Sequence, residues 1–556
     1  MAAMAAQATT GRPHTVEASE RTSRVPLRAR RLAQHAARVA PLAMGTVASS
    51  AILVGSLGVG YLPGDSPIRQ WPLIATLRST ASLTEICAIA VLGGGLLLLL
   101  AWLRLRSTAR SGDPRALRTI LVAALSWCAP LLITVPLFSR DMFSYVAQGR
   151  LMVQGIDPYS NGVATLPGWF ILGVDPVWAD SPTPYGPLSL LTERTAVQLA
   201  GWSSPELSVA MLRAVSVTGV VVMAVYVLRL ARLRGLSVPL TAWTVVANPL
   251  TLVLFVVAGH NDSVMLALIL ASLFYASTDR RVLAVVLMGA AIAVKPVAVI
   301  ALPVVALLWL RRDATLRERV RAWLWTGLGA LGLVVGLGFA AGVGVGWVAA
   351  MIVPGTIMHW YAPMSLVSIL VSTSVELTGH DPAAAVTLVK LLALTLAGVV
   401  AGWLMLTRRS IDPLARLATA LLAFVTASSA IHPWYALWIL PVAALARPWR
   451  TVHVHLAVYA TIFLMCVTLA EPVEGNGGVL DQLPGRVATI AAMAVVGLYV
   501  LLGYTDAERV EVRGLVRGLP LGGEILARGS DLLQRATGGR VGSRLDRRYV
   551  SARARD

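Results

Sequence analysis

At 556 residues the chain is 56% hydrophobic and only 13% charged, with a mean hydropathy of +0.72. A soluble fold of that length carries about 25% charged residues and could not hide so much apolar surface, so lipid is the solvent for most of the chain. The net charge of +19 lies in two tails and in short loops, with no basic face to hold nucleic acid, and it marks cytoplasmic segments in contact with anionic lipid heads.

Residues 1–41 are small, polar and Arg-rich, and read as a disordered cytoplasmic tail. Apolar runs of bilayer-crossing length then recur from residue 42 to residue 504. The first, 42–61, is too long for a signal-peptide core and lacks a cleavage site, so it reads as an uncleaved span. Spans follow near 84–102 and 119–138, separated by a basic loop from Arg104 to Arg118. A long external loop, 139–206, holds a segment of helical period over 143–153, expected as a short amphipathic helix lying on the membrane surface.

The chain returns through 207–228 to Arg229, Arg232 and Arg234, and continues through 238–258, 263–277 and a short pair over 282–310. A basic loop at 311–321 precedes a span near 322–341, and 342–385 reads as a second external excursion. Spans are expected near 386–407, 413–431, 434–447, 452–470 and 486–504, with an acidic external loop at 471–485 and a basic cytoplasmic tail at 505–556. The positive-inside asymmetry thus predicts an all-α polytopic membrane protein of about fourteen spans with both termini cytoplasmic.

Cys87, Cys128 and Cys466 all fall inside apolar runs, so neither a disulfide framework nor a metal cluster is expected. Lys295 and Lys390 are the only lysines among the 47 basic residues. Lys295 lies between apolar runs before Pro296; its two readings are contact with a lipid phosphate and snorkelling to the interface.

Other polar residues also have two readings. Asp141, at the start of the long loop, suits a general base at the lipid–water boundary or an N-cap for the following helix. Asp157 and Asp180, each near a proline, are turn formers first, and Tyr185 in Thr183-Pro184-Tyr185-Gly186-Pro187 is either a sugar-stacking face or a belt tyrosine. His260-Asn261-Asp262 either caps the next helix or faces an external cavity. His359-Trp360-Tyr361 and His432-Pro433-Trp434-Tyr435 fall on the same external side. The chain has no Walker loop, Rossmann fingerprint or external Asp-x-Asp motif, which disfavours ATP-driven transport and a nucleotide-activated donor.

The stretch Arg140-Asp141-Met142-Phe143-Ser144-Tyr145 through Gly149-Arg150, with Gly155-Ile156-Asp157-Pro158-Tyr159 and Pro184-Tyr185-Gly186-Pro187, resembles the actinobacterial polyprenyl-phosphomannose-dependent alpha-1,6-mannosyltransferases of MptA/MptB type, MptB-like members favoured. His260-Asn261-Asp262, Lys295-Pro296 and His432-Pro433-Trp434-Tyr435 are similar to that family too, and the likeness covers residues 42–504. It implies a GT-C glycosyltransferase fold in the cytoplasmic membrane with its site facing outward. The implied donor is polyprenyl-phosphomannose, and the implied acceptor is a phosphatidylinositol-mannoside or mannan on the way to lipomannan and lipoarabinomannan. No cofactor or metal is expected.

The same resemblance implies Asp141 as catalytic base and Lys295, with His260 or Arg150, at the donor phosphate. Tyr145, Asp157, Tyr159, Tyr185, His359, His432 and Trp434 are the candidates for contact with the sugars. Two alternatives stay open: a flippase of a lipid-linked sugar, and a GT-C enzyme using another polyprenyl-phosphate sugar such as arabinose.

Overall fold

The computed structural model of the chain describes residues 27–311, 313–350, 358–359, 361–407, 411–447, 451–470, 491–497 and 499, without the side chains of 27–38 and 349–350. Residues 1–26, Trp360, the acidic loop at 471–485, most of the expected last span and the tail at 505–556 lie outside the described residues.

In lipid every backbone polar group must be satisfied within the protein, and the chain meets that demand with helices. The first group is α1 (Leu27–Val59), α2 (Pro72–Ser79), α3 (Ala81–Ala109), α4 (Ala116–Leu131), α5 (Asp141–Val153), the one-turn α6 (Trp169–Leu172) and α7 (Pro187–Ala200). α8 (Pro205–Leu233) and the one-turn α9 (Val238–Thr241) lead into two π-helical segments, Ala242–Val246 and Thr251–Val257. Next come α10 (Asp262–Ser277), α11 (Arg281–Val294), α12 (Leu302–Trp309), α13 (Leu316–Ala341) and the one-turn α14 (Trp347–Ala350). α15 (Pro363–Glu376), α16 (Ala383–Leu406), α17 (Pro413–Ala427), α18 (Tyr435–Leu445) and α19 (Thr451–Ala470) complete the order. Several begin on proline, whose missing N–H costs nothing in a first turn: Pro187, Pro205, Pro363 and Pro413. α13 starts on a capping box between Thr315 and Glu318.

Six helices are long and apolar enough to cross a membrane, and the bent π-helical pair makes a seventh. Six other expected spans are apolar helices of 10–17 residues, and the last, near 486–504, lies mostly outside the described residues. At 1.5 Å per residue these rise at most about 25 Å, short of a hydrocarbon core of about 30 Å. The expected all-α polytopic architecture is thus found, with seven of the expected crossings long enough to span singly and shorter apolar helices at the positions of further expected spans among the described residues. The excursion expected over 342–385 changes, because it contains α15 and the start of α16.

The core is organised on the broken helix. Pro249 supplies no N–H, and the two π-helical arms meet there at 52°. The buried Asn248 takes over the missing bonds: its Oδ1 accepts from Leu250 N at 2.9 Å and its Nδ2 donates to Thr244 O at 3.1 Å. The first arm is docked on α3 by Trp102 and Trp243, stacked 4.5 Å apart and 5° from parallel. Each indole N–H donates to the other's backbone carbonyl, at 2.9 and 2.7 Å. α1 approaches α3 at Gly94, where a Cβ would lie 2.7 Å from Ala48 O, the close packing that small residues permit in membranes.

α5 is not a surface helix. Eleven of its thirteen residues are buried, on every face, because α7, α8 and the segment 163–174 enclose it. The expected amphipathic helix is thus found in sequence position but corrected in setting: its faces carry small and apolar residues all round, which suits enclosure rather than an interface.

Candidate active site

Two chain segments form the centre of the site. The first runs from the end of α4 into α5, with Phe138 in the left-handed region at φ 67° turning the chain. Ser139 Oγ then accepts from Asp141 N at 3.1 Å, while Arg140 occupies the N-cap position and makes no side-chain cap bond. Asp141 is therefore the first helical residue and does not cap α5. The second segment leaves the broken helix through Gly259 at φ 69°. A Cβ there would lie 2.5 Å from the Met142 sulfur, so glycine is required both by backbone conformation and by the approach of α5.

That approach brings Asp141 Oδ2 to 3.2 Å from His260 Nδ1. The Tyr185 hydroxyl donates to the same oxygen at 3.5 Å, and Tyr145 packs edge-on against Tyr185 at 5.2 Å. Burial alone would raise the Asp141 carboxyl, but His260 first, then His432 and Lys295, together outweigh it and hold the group below its ordinary value. Asp141 is consequently ionised at neutral pH, with loose contacts and a buried side chain.

An aromatic series continues from His260. Its ring lies 3.8 Å from that of Trp434, which stacks on His432 at 4.3 Å. His432 meets His359 edge-on at 4.6 Å, and His359 meets Tyr361 at 5.4 Å. The 358–362 and 428–435 segments are tied by His359 N to Ser429 O at 3.0 Å and by the Tyr361 hydroxyl to Ile431 O at 2.6 Å. Burial lowers His359, and burial with the neighbouring His359 lowers His432 well below its ordinary value, so both rings are neutral at pH 7. Both ring nitrogens of His260, Nε1 of Trp434 and Nδ1 of His359 are buried without an aligned hydrogen-bond partner, so the 3.2 Å approach of His260 Nδ1 to Asp141 is a charge contact. Residues from four distant stretches, Asp141, His260, His359 and His432 with Trp434, thus come together.

The other candidates are arranged differently. Lys295 neither snorkels nor stands free: its Nζ lies 2.9 Å from both Asp262 oxygens, and Trp438 Nε1 donates to Asp262 at 2.6 Å. The anionic partner expected in a lipid is supplied within the protein. Asn261 and Asp262 cap nothing by side chain, since Asn261 Nδ2 donates to Ser189 at 3.0 Å.

Arg150 lies nine residues along α5 from Asp141, about 13 Å at helical rise, where it stacks on Trp202 and donates to its carbonyl at 2.6 Å. It does not join the cluster. Asp157 is a turn residue, accepting from Tyr159 N and Ser160 Oγ, both at 2.9 Å. Tyr159 supports Tyr185 from behind through its hydroxyl, which donates to Tyr185 O at 2.8 Å.

Three features escaped the sequence reading. Asp262 carries two readings there, a cap or part of an external cavity, but not that of the partner of Lys295, and Trp438 carries none. Glu193, 1% exposed on α7, accepts from Ser189 at 2.8 Å and is pushed up to about 8 by burial. Its signal was available, because Ser189 and Glu193 stand one helical turn apart.

Residues 42–311 match the family profile described as "Alpha-(1->6)-mannopyranosyltransferase, N-terminal domain", and residues 362–503 match "MptB C-terminal domain". Alpha-(1->6)-mannopyranosyltransferase A of Mycobacterium tuberculosis is 30% identical over 493 residues, covering 86% of this chain and 93% of the relative. Alpha-(1->6)-mannopyranosyltransferase A of Corynebacterium glutamicum is 27% identical over 447 residues, 75% of this chain and 88% of its own length. The B enzyme of the same organism is 28% identical over 522 residues, 85% and 83% of the two chains. With the helical membrane architecture, these relatives define a multi-pass membrane glycosyltransferase of the GT-C class. The chain belongs to the MptA/MptB family of alpha-(1->6)-mannopyranosyltransferases.

Proposed function

We propose that the enzyme moves mannose from polyprenyl-phosphomannose to the 6-hydroxyl of an alpha-1,6-mannan or phosphatidylinositol-mannoside acceptor, within lipomannan and lipoarabinomannan synthesis. The observation that carries this reading is the Asp141 carboxylate: buried, ionised, unused as a cap and held only at 3.2 and 3.5 Å. Asp141 takes the proton of the acceptor hydroxyl as its oxygen bonds to the anomeric carbon. The bond from that carbon to phosphate oxygen breaks in line, and polyprenyl phosphate departs. One displacement converts a beta-linked donor into an alpha product, with no covalent intermediate.

His260 is the nearest imidazole to the leaving phosphate, with His432 and His359 beyond Trp434. Lys295 acts at longer range because Asp262 takes its direct contact. Arg150 has no part in this scheme, and the scheme draws on side chains alone. Tyr145 and Tyr185 wall the acceptor side, and the arginines of the basic loops support an outward-facing site in the cytoplasmic membrane.

Membranes carrying the enzyme, supplied with labelled polyprenyl-phosphomannose and a short alpha-1,6-mannoside, test the reading. Transfer should give an alpha-1,6 linkage and vanish in Asp141→Asn, with the protein still inserted. Normal transfer in that variant would overturn the base, and preferential use of a polyprenyl-phosphoarabinose donor would overturn the sugar. Movement of lipid-linked sugar across the bilayer without transfer would leave the flippase standing.

A further inference from the structure

The Asp141–His260 contact depends on two segments that are 119 positions apart in the sequence. Each arrives from a helix C-terminus, where carbonyls lack intrahelical partners and carry partial negative charge. Arg213, on α8 and 9% exposed, lies between those ends. Its Nη1 donates to Thr134 O at 2.5 Å and Leu132 O at 3.4 Å, beyond the end of α4. Its Nη2 donates to Val257 O at 3.0 Å, the last residue of the second π-helical arm. All three bonds go to carbonyls. A planar guanidinium with forked donors can bridge two chain ends in this way, whereas an ammonium keeps the charge but reaches only part of the bridge.

One turn further on, Ser216 Oγ lies 2.7 Å from Phe255 O and 2.9 Å from His260 O. The same face of α8 therefore grips the turn that presents the imidazole.

We propose that Arg213 is a positioning residue for transfer, fixing the separation of Asp141 and His260 by clamping the two segments that carry them. The proposal rests on Asp141 as the reacting carboxylate. Arg416 supplies an internal control: it also donates to carbonyls at the end of α16, those of Leu404 and Thr407, and to Ile411 O in the link that follows, away from Asp141 and His260.

The test uses the full-length enzyme in nanodiscs, comparing Arg213→Met, Arg213→Lys, His260→Gln, Arg213→Met/His260→Gln, Arg416→Met and Asp141→Asn. The readouts are kcat, acceptor KM, melting midpoint and the acid limb of the kcat–pH profile. Groups facing Asp141 are His260, His432, Lys295, Tyr185, Tyr145 and Tyr435, and His260 is the one the clamp sets. Arg213→Met should lower kcat roughly 10–100-fold with KM little changed, since about 1 Å of misplacement suffices for that loss. Its acid limb should move to higher pH, and adding His260→Gln should cost little more.

Arg213→Lys should recover part of kcat, and Arg416→Met should lower only the melting midpoint. An unmoved acid limb with fully multiplicative losses in the double variant would overturn the proposal. If Arg213→Met does not accumulate, Arg213→Lys decides by the same criteria: its limb moves or the proposal fails. Activity in Asp141→Asn would instead overturn the base reading, so the two failures are distinct.

Discussion

Asp141 and Asp262 make a nearly controlled comparison. Each is the first residue of a helix, α5 or α10, each is buried, and each sits at the positive end of a helix dipole. They differ in what surrounds the charge. Asp262 receives the Lys295 ammonium on both oxygens and the Trp438 indole N–H, so its charge is neutralised and its lone pairs are taken. Asp141 has an imidazole nitrogen 3.2 Å away that makes no aligned hydrogen bond, and a phenol that donates at 3.5 Å, the long end of bonding distance. A closed carboxylate holds helices together, whereas a loosely held one has lone pairs left for a proton. Helix position is alike at the two sites, and tertiary partners separate their roles.

The comparison breaks most visibly at Asp141 itself. Asp141→Asn should cost about 10³-fold or more in kcat with little change in melting, as expected for loss of a general base. Asp262→Asn should do the reverse: stranding Lys295 costs roughly 3–5 kcal/mol of stability, and the surviving folded enzyme turns over within about tenfold of wild type. Asp262→Asn/Lys295→Met should recover much of that stability, and failure to do so would show that Asp262 is more than a partner for Lys295.

His260→Gln sharpens the open side of the comparison. His260 lowers the Asp141 carboxyl, so its loss raises that group and moves the acid limb of kcat to higher pH, with kcat roughly tenfold down. Glu193 gives a smaller effect, read in stability. Its carboxyl is raised from 4.5 to about 8, so the neutral form favours the fold. That contribution is whole below the unfolded value and is lost as pH rises through about 8. Melting of the wild type should fall between these limits, and Glu193→Gln should flatten the decline. The smallest effect belongs to Arg150→Ala, whose kcat should stay within about twofold because Trp202 holds that side chain away from Asp141.

Much of the architecture was legible because apolar run length and arginine placement are one-dimensional signals. The helices near 84–102, 207–228, 322–341, 386–407 and 452–470 are found as α3, α8, α13, α16 and α19. Run length was less informative where proline, glycine and asparagine divide an apolar stretch. A hydropathy window reads 238–258 smoothly across Asn248 and Pro249, whereas the structure bends there. The gathering of Asp141, His260, His359 and His432 followed from placing each at one side of the bilayer. Pairing did not follow, because which carboxylate meets Lys295 is decided by the third dimension. Arg213 was invisible for the same reason: its partners are backbone carbonyls, and those carry no residue signature.

The tryptophan pair that docks the broken helix has an optical consequence. Two buried indoles held nearly parallel at 4.5 Å couple their ultraviolet transitions, so Trp102 and Trp243 together contribute a near-ultraviolet circular-dichroism band that neither produces alone. Among sixteen tryptophans, this one couplet reports whether the first π-helical arm is seated on α3. It reads the scaffold without turnover, and so separates a misassembled protein from a correctly assembled one whose chemistry has been removed.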